Sequence, residues 1–316
     1  MENLVKRTIQ MGTKSTLKDT LLVAYGVDKN YWRQMLVSMA SILRHNDSIC
    51  FSVVVDSFDS EMESLLHKFV EKHPCFVSIY EINDEFFRNW PIYHQKLSMA
   101  AFYRIALFSL VTDCSKVLYL DADVICLKSL IGLRTYSMGD TVALVVPDLK
   151  RMITYGNKIG LPQDHIYFNS GVMLVNLSAW QKENFFTRVQ DICKEKHKVI
   201  QFEDQDLLNF ALVGRVQYLP IYYNMLCPID EKREECFLLH FASHPKPWSE
   251  YWTLNPQCIL WTKQIYRDIE QYLFGTNISK SESIYNYFRW LVKRVIYRIM
   301  PGMQQYGSTY YLSHKM

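Results

Sequence analysis

Hydrophobic positions follow two periodicities along the first part of the chain. Continuous apolar runs, which are typical of buried strands, alternate with segments whose apolar residues recur at helical spacing. The predicted strands are 20–27, 49–58, 76–82 and 116–124, and the predicted helices are 30–46, 60–73 and 94–111. Because strands and helices alternate, this pattern predicts an α/β fold built on a largely parallel sheet.

The remaining segments have weaker or more mixed patterns. Residues 1–19 are mostly polar and predict a leader with little order. Strands are predicted at 141–148, 167–177 and the start of 236–248, and helices at 178–196 and 202–214. Ser60 and Ser178 stand where two of the predicted helices begin, and serine is a common N-cap residue.

A basic amphipathic segment is predicted near the C-terminus. Residues 283–316 contain no Asp or Glu, and a helical wheel separates an apolar face from a basic one. The apolar face holds Phe288, Leu291, Val292, Val295, Ile296 and Ile299, and the basic one holds Arg289, Lys293, Arg294 and Arg298. This pattern predicts an interfacial helix on an anionic membrane surface, with a helix packed on the domain as the alternative.

Composition narrows the classes of protein to which the chain can belong. Its 316 residues are 49% hydrophobic and 21% charged, which suits one large globular domain or two small ones. A net charge of +3 is too small to indicate nucleic acid as a partner. The 8 cysteines include no CxxC pair and several lie in apolar runs, so we expect free thiols in a reducing compartment. We expect neither a signal peptide nor a spanning helix, because no apolar run reaches roughly 18 residues.

Two carboxylates, Asp121 and Asp123, follow the apolar core of the predicted strand 116–124. Ligands bind beyond the carboxyl ends of strands in parallel sheets, and Asp28 follows the first predicted strand in the same way. Residues i and i+2 of a strand point to one side, and carboxylate oxygens suit Mg²⁺ or Mn²⁺. The pair therefore predicts a divalent metal site. Capping acids at a strand end and the nucleophile of a haloacid-dehalogenase-type phosphatase are the alternatives, although Ile125 and three preceding strands are unusual for that phosphatase.

The segment HFASHPKPW, residues 240–248, adds two candidate groups to this site. The imidazole of His240 suits Mn²⁺, although a histidine at a strand end is often purely structural. Lys246 stands between Pro245 and Pro247, which restrict the backbone around it. A metal ion together with a well-positioned lysine would stabilise a diphosphate leaving group.

Five segments resemble, in the same order, the successive motifs of glycosyltransferase family 8. They are YGVDKNY, VLYLDADV, YFNSGVMLVNLSAW, DQDLLNF and HFASHPKPW, and they extend over roughly residues 20–250. The resemblance is greatest to the bacterial lipopolysaccharide core α-galactosyl- and α-glucosyltransferases. It implies a GT-A fold, which is a Rossmann-like mixed sheet flanked by helices, in a catalytic domain at 20–250. Residues 1–19 would then be the leader, and 251–316 a C-terminal extension with the basic helix.

The resemblance also implies roles for individual residues. It implies that Asp121, Asp123 and His240 bind a divalent cation, Mn²⁺ or Mg²⁺, and that Lys246 binds the diphosphate. It assigns donor binding to Asp28, Asn30, Arg104, Asp148 and Asn169, and places Asp204 on the donor sugar and Gln205 near the reactive face of its anomeric carbon. One departure is Ser243, which stands where the family usually has glycine, and His244 beside it is also unusual.

The expected function is a retaining hexosyltransferase that moves glucose or galactose from a UDP-sugar to a lipopolysaccharide core oligosaccharide. Such an enzyme would be cytoplasmic, and the basic tail predicts that it lies on the inner face of the bacterial cytoplasmic membrane. Gln205 is an amide and a poor nucleophile, which favours front-face substitution over a double displacement. A capsular or protein glycan as acceptor, or a non-catalytic sugar-nucleotide-binding protein, are the alternatives.

Overall fold

The computed structural model describes residues 4–13, 20–90, 99–226, 230–243, 246–248 and 260–275. The strands are β1 Val5–Met11, β2 Leu21–Gly26, β3 Ile49–Val55, β4 Phe76–Ile82, β5 Lys116–Leu120, β6 Val124–Cys126, β7 Ala143–Pro147, β8 Phe168–Asn176, β9 Val216–Tyr218 and β10 Leu238–His240. The α-helices are α1 Trp32–Leu43, α2 Ser60–Lys72, α3 Tyr103–Leu110, α4 Ile131–Thr135, α5 Lys150–Lys158, α6 Leu177–Lys182, α7 Phe185–Lys196, α8 Glu203–Ala211 and α9 Leu260–Phe274.

Eight of these strands form one sheet in the order β1-β4-β3-β2-β5-β8-β7-β9. β2 pairs in parallel with β3 and β5, and β3 pairs in parallel with β4. β8 runs antiparallel to both β5 and β7, so the sheet is mixed, as the family resemblance implied, and less parallel than the alternation of strands and helices predicted. The side chains of β2 and β3 are almost all buried, which explains their continuous apolar runs.

The sequence-based assignment was wrong for the leader at Val5–Met11. This segment is β1, which pairs antiparallel with β4 at the edge of the sheet. Four of its seven side chains, Lys6, Arg7, Thr8 and Gln10, are exposed on both faces of the strand, so its polar positions resembled an unstructured segment. The segments 1–3 and 14–19 of the predicted leader lie outside the described residues.

The predicted helix at 178–196 is divided in the structure, and the N-cap residues of two helices differ from the predicted serines. The segment 178–196 forms α6 and α7, because Asn184 between them has a left-handed backbone with φ of 54°. The side chains that cap α2 and α6 are Asp59 and Asn176, which accept hydrogen bonds from Met62 N and Ala179 N, so the two serines are not the caps. The prediction at 94–111 is described only from residue 99, where a 3₁₀ turn leads into α3.

The strand predicted at 116–124 ends at Leu120. Asp121–Asp123 form a turn, in which Val124 N donates to Asp121 O at 3.1 Å. The chain then enters β6, which pairs antiparallel with β10 and not with the large sheet. Because His240 is opposite Val124 in this register, the small sheet brings the histidine beside the two acids.

The described residues form two compact units. The first extends to Leu226 and includes Glu235–His240, and the second comprises the described parts of Cys227–Glu234 and Phe241–Met316. In the second unit Phe241 and Trp248 pack against Tyr266 of α9. The sequence-based boundary at residue 250 therefore lies within this unit. Among the described residues, no helix combines the length and the hydropathy needed to cross a bilayer, and the basic segment at 283–316 lies outside them.

Candidate active site

Three potential metal ligands converge at the carboxyl end of β5. His240 Nε2 lies 3.2 Å from Asp123 Oδ1 and 3.8 Å from Asp121 Oδ2, and one ligand atom of each residue lies within 4.8 Å of the others. Asp123 and His240 are buried and Asp121 is partly exposed. Two carboxylates and one imidazole form a donor set that suits Mn²⁺ or Mg²⁺, so the residues that the sequence indicated fit such an ion.

Gly171 of β8 provides the space in which these ligands meet. A Cβ atom on Gly171 would overlap His240 Cε1 and would lie 2.6 Å from Asp121 Oδ2. The Gly171 carbonyl also accepts a hydrogen bond from Asp121 N at 2.8 Å. This bond holds the start of the acidic turn, which is formed by Asp121–Asp123. Gly171 was not predicted from the sequence, because a glycine within a buried strand carries no metal-binding signal of its own.

Arg104 of α3 lies between the acidic turn and the start of α8. Its Nη2 is 2.9 Å from Asp121 Oδ1, and its Nε is 3.0 Å from Asp204 Oδ2. Nη1 donates to Ser170 O at 2.6 Å, and the guanidinium lies 4.5 Å from the centre of the Tyr119 ring. This buried cation therefore neutralises carboxylates from two parts of the fold.

Asp204 is almost fully buried in the first turn of α8. It accepts a hydrogen bond from Ser170 Oγ at 3.0 Å in addition to the contact with Arg104. Burial raises the pKa of the Asp204 carboxyl to about 7, and the Arg104 guanidinium opposes that rise. The acid is therefore held by two donors in a place from which water is largely excluded.

Three residues predicted to contact the donor are joined by hydrogen bonds. Gln205 Oε1 accepts from Asn169 Nδ2 at 3.0 Å and from Ser170 N at 3.1 Å. Gln205 Nε2 donates to Asp148 Oδ2 at 3.0 Å, and burial raises the pKa of the Asp148 carboxyl. The ends of β7 and β8 and the first turn of α8 thus meet around one glutamine.

The second acid of the DQDLLNF motif has a structural role. Asp206 is completely buried and accepts hydrogen bonds from Tyr155 Oη, Tyr167 Oη and the backbone N–H groups of Gln201 and Phe202. These four donors satisfy the carboxylate and hold the segment that leads into α8. Asp206 consequently supports the position of Asp204 and Gln205 without facing the site.

The loop after β2 contains the two residues predicted to bind the nucleotide. Asn30 N donates to Asp28 Oδ1 at 2.8 Å, which closes a short turn. Tyr31 follows, and burial raises the pKa of its phenol with further contributions from Asp123, Asp28 and Asp121. The phenol of Tyr31 therefore lies close enough to Asp121 and Asp123 for their charges to raise its pKa. Tyr31 was not predicted from the sequence as a site residue.

The remaining predicted residue, Lys246, belongs to the second unit. Its side chain is buried, and Nζ donates to Phe241 O at 2.7 Å. Ser243, the departure from the usual glycine, is also buried, and His244 lies outside the described residues. The diphosphate contact of Lys246 stays a prediction.

Comparison with known proteins agrees with this fold and these motifs. The model of glycosyl transferase family 8 matches residues 22–252. A lipopolysaccharide 1,2-glucosyltransferase of Escherichia coli is 28% identical over 274 residues, covering 78% of each chain. A lipopolysaccharide 1,3-galactosyltransferase of Salmonella typhimurium is 26% identical over 275 residues, covering 79% of this chain and 80% of its own.

The fold also resembles that of a solved structure. The galactosyltransferase LgtC, crystallised with donor and acceptor sugar analogues, superimposes with a TM-score of 0.69 at 24% identity. The match covers 83% of this chain and 98% of LgtC. The GT-A fold predicted from the sequence is thereby confirmed.

Proposed function

Because this chain belongs to glycosyltransferase family 8, we propose that it transfers glucose or galactose from a UDP-sugar to a lipopolysaccharide core oligosaccharide. The anomeric configuration of the transferred sugar would be retained. The bacterial relatives that act on lipopolysaccharide support this acceptor, and they include both a glucosyl- and a galactosyltransferase. A capsular or protein glycan is the alternative acceptor.

The cation would be held by Asp121, Asp123 and His240 in this proposal. Bound there as Mn²⁺ or Mg²⁺, it would supply positive charge for the diphosphate of the departing UDP. Lys246 would add a second cationic contact to the same diphosphate. Asp28 and Asn30, in the loop after β2, would bind the nucleotide.

The sugar would lie against the residues at the ends of β7, β8 and α8. Asp148, Asn169 and Asp204 would orient its hydroxyl groups, and Gln205 would face the anomeric carbon. Oδ2 of Asp204 is paired with Arg104 and accepts from Ser170, which lowers the nucleophilicity of this carboxylate toward the sugar. Gln205 is an amide that is itself engaged at both ends. We therefore favour front-face substitution, in which a UDP oxygen receives the proton of the acceptor hydroxyl.

The observation that carries the proposal is the meeting of Asp121, Asp123 and His240 beside the buried Arg104–Asp204 pair. Purified protein should release UDP from UDP-glucose or UDP-galactose when a truncated core oligosaccharide is supplied, and NMR of the product should reveal the linkage. Binding of a UDP-sugar without turnover would instead identify a sugar-nucleotide-binding protein. Release of inorganic phosphate with no dependence on a UDP-sugar would identify a phosphatase.

We further propose that the enzyme works at the inner face of the cytoplasmic membrane. Residues 283–316 contain no acidic side chain, and the basic groups in this segment suit an anionic lipid surface. An acceptor built on a lipid would then be delivered to the enzyme by the membrane itself.

A further inference from the structure

We propose that Asn224, held by Asn169, fixes the tautomer of His240 and so prepares its Nε2 atom to bind the cation. Asn224 lies 16 residues before His240, outside the motifs that the sequence analysis identified. The cation-binding part of this inference rests on the proposed function, whereas the tautomer itself follows from the hydrogen bonds described below.

A backbone N–H group can only donate, and one such group determines the orientation of the Asn169 amide. Gly171 N donates to Asn169 Oδ1 at 3.0 Å, so that atom of Asn169 must be the amide oxygen. The other end of the amide agrees, because Asn169 Nδ2 faces Gln205 Oε1, which also accepts from the backbone of Ser170. Two backbone donors thus orient the amides of Asn169 and Gln205.

The orientation of Asn169 determines that of Asn224. Asn169 Oδ1 can only accept, so the Asn224 atom 2.9 Å from it must be the Nδ2 donor. The oxygen of Asn224 consequently faces His240 Nδ1, also at 2.9 Å. An amide oxygen carries no proton, and therefore the proton in this contact belongs to His240 Nδ1.

The neutral imidazole then has its lone pair on Nε2. This is the atom that faces Asp123 Oδ1 and Asp121 Oδ2. Asn169, Asn224 and His240 are all at most 6% exposed. In any other arrangement of these side chains, water could therefore not easily supply the hydrogen bonds that would be lost. With the proton on Nε2, the Asn224 oxygen and the Nδ1 lone pair would face each other without a proton between them.

Such a partner for the second ring nitrogen is a general feature of metal-binding histidines, since it fixes both the tautomer and the ring orientation. Here the partner is part of a longer chain, in which Gln205, Asn169, Asn224 and His240 are hydrogen-bonded in succession. The residue proposed to face the anomeric carbon is therefore connected to the proposed cation ligand. Asn169 and Asn224 act as positioning residues in this inference.

Long-range ¹H–¹⁵N NMR of the histidine rings in protein saturated with diamagnetic Mg²⁺, which would occupy the Nε2 side of His240, tests the tautomer directly. Spectra are recorded at alkaline pH, where imidazole is neutral, and His240→Gln identifies the resonances. We expect the proton of His240 on Nδ1 in the wild type. In Asn224→Leu, which removes the amide at similar volume, we expect a mixture of tautomers at the same Mg²⁺ concentration. Asn224→Asp keeps an oxygen facing Nδ1 but loses the donor to Asn169 Oδ1, and we expect it to retain the wild-type tautomer at a lower melting temperature.

The affinity for Mn²⁺, measured by calorimetry without any sugar nucleotide, provides the second measurement. We expect Asn224→Leu to lose about 10- to 100-fold in affinity and Asn224→Asp to recover most of it. Asn176→Leu is the matched control, because the Asn176 side chain caps α6 and takes no part in the hydrogen bonds that link Gln205, Asn169, Asn224 and His240. It should lower the melting temperature and leave Mn²⁺ affinity unchanged.

The inference would be overturned by a wild-type His240 with its proton on Nε2, or by Asn224→Leu protein that binds Mn²⁺ as tightly as the wild type. A wild type that binds no cation would also overturn it. A protein with the expected tautomer and Mn²⁺ affinity that releases no UDP from any UDP-sugar contradicts the proposed function and supports this inference.

Discussion

Arg104 and Asp204 form a buried ion pair, with 3.0 Å between Nε and Oδ2, at the place where α3 meets α8. The same guanidinium lies 2.9 Å from Asp121, one of the proposed cation ligands. A single arginine thus neutralises a carboxylate proposed to bind the cation and one proposed to contact the sugar. Two carboxylates left in this environment without it would repel each other and lose solvation.

Arg104→Leu should therefore reduce both activity and stability. We expect the metal-free protein to lose about 3–5 kcal/mol of unfolding free energy, because removal of one partner leaves buried charge unpaired. Urea denaturation measures this loss. The matched control is Arg7→Leu, which breaks the ion pair between Arg7 and Glu81. Because the Arg7 side chain is 54% exposed, this substitution should lower the unfolding free energy by at most about 1 kcal/mol. Equal effects of the two substitutions would contradict the role of Arg104.

Asp123→Asn should lower UDP release by orders of magnitude while the fold survives. Asparagine has nearly the same shape as aspartate but lacks the charge that attracts a divalent cation. EDTA should abolish the activity of the wild type, and Mn²⁺ or Mg²⁺ should restore it. Turnover of the purified variant at the wild-type rate, with an unchanged melting temperature, would show that the cation is not bound by this residue.

Gly171→Ala should weaken Mn²⁺ binding. The new methyl group would overlap His240 and crowd Asp121, so at least one ligand must move. Gly132→Ala, in α4, is the control. A Cβ atom at Gly132 would have the Tyr223 hydroxyl as its nearest neighbour, at 4.0 Å. That variant should keep its Mn²⁺ affinity and be neutral or up to about 1 kcal/mol more stable. Unchanged Mn²⁺ affinity in Gly171→Ala would show that the metal ligands do not need a glycine at this position.

The raised pKa of Asp204 predicts a specific dependence of the unfolding free energy on pH. Its pKa in the folded protein is raised from the ordinary 3.8 to about 7, chiefly by burial, so the folded state holds this proton more tightly than the unfolded state. The contribution of Asp204 to stability is therefore greatest below about pH 4, decreases as pH rises to about 7, and is constant above that. Asp204→Asn cannot titrate, so the stability of the metal-free wild type relative to this variant should fall across the window. A difference that stays constant or rises in urea titrations would contradict the raised pKa.

Deletion of residues 283–316 should move the protein from the membrane fraction to the soluble fraction. The deleted segment contains the basic residues and the apolar face predicted to bind an anionic surface. Sedimentation with vesicles of anionic lipid measures the change, and vesicles of neutral lipid serve as the control. Unchanged partitioning, with an intact melting profile, would indicate that the segment packs on the protein.

The sequence by itself determined the alternation of strands and helices and the identity of the three candidate metal ligands. Burial on both faces requires long apolar runs, from which β2, β3 and β4 were predicted, whereas β1 was missed because most of its side chains are polar and exposed. Asp121, Asp123 and His240 were visible because acids and a histidine at the ends of apolar runs suggest metal binding.

Only the tertiary structure decided how these groups are held. Asp121 and Asp123 converge through a turn and not along a strand, and the pairing of β10 with β6 brings His240 to them. Gly171, Asn224 and the bridging position of Arg104 depend on distances between segments that are far apart in the chain. Hydrophobic periodicity records which face of an element is buried, but the direction of a hydrogen bond depends on which donors and acceptors the folded backbone brings together.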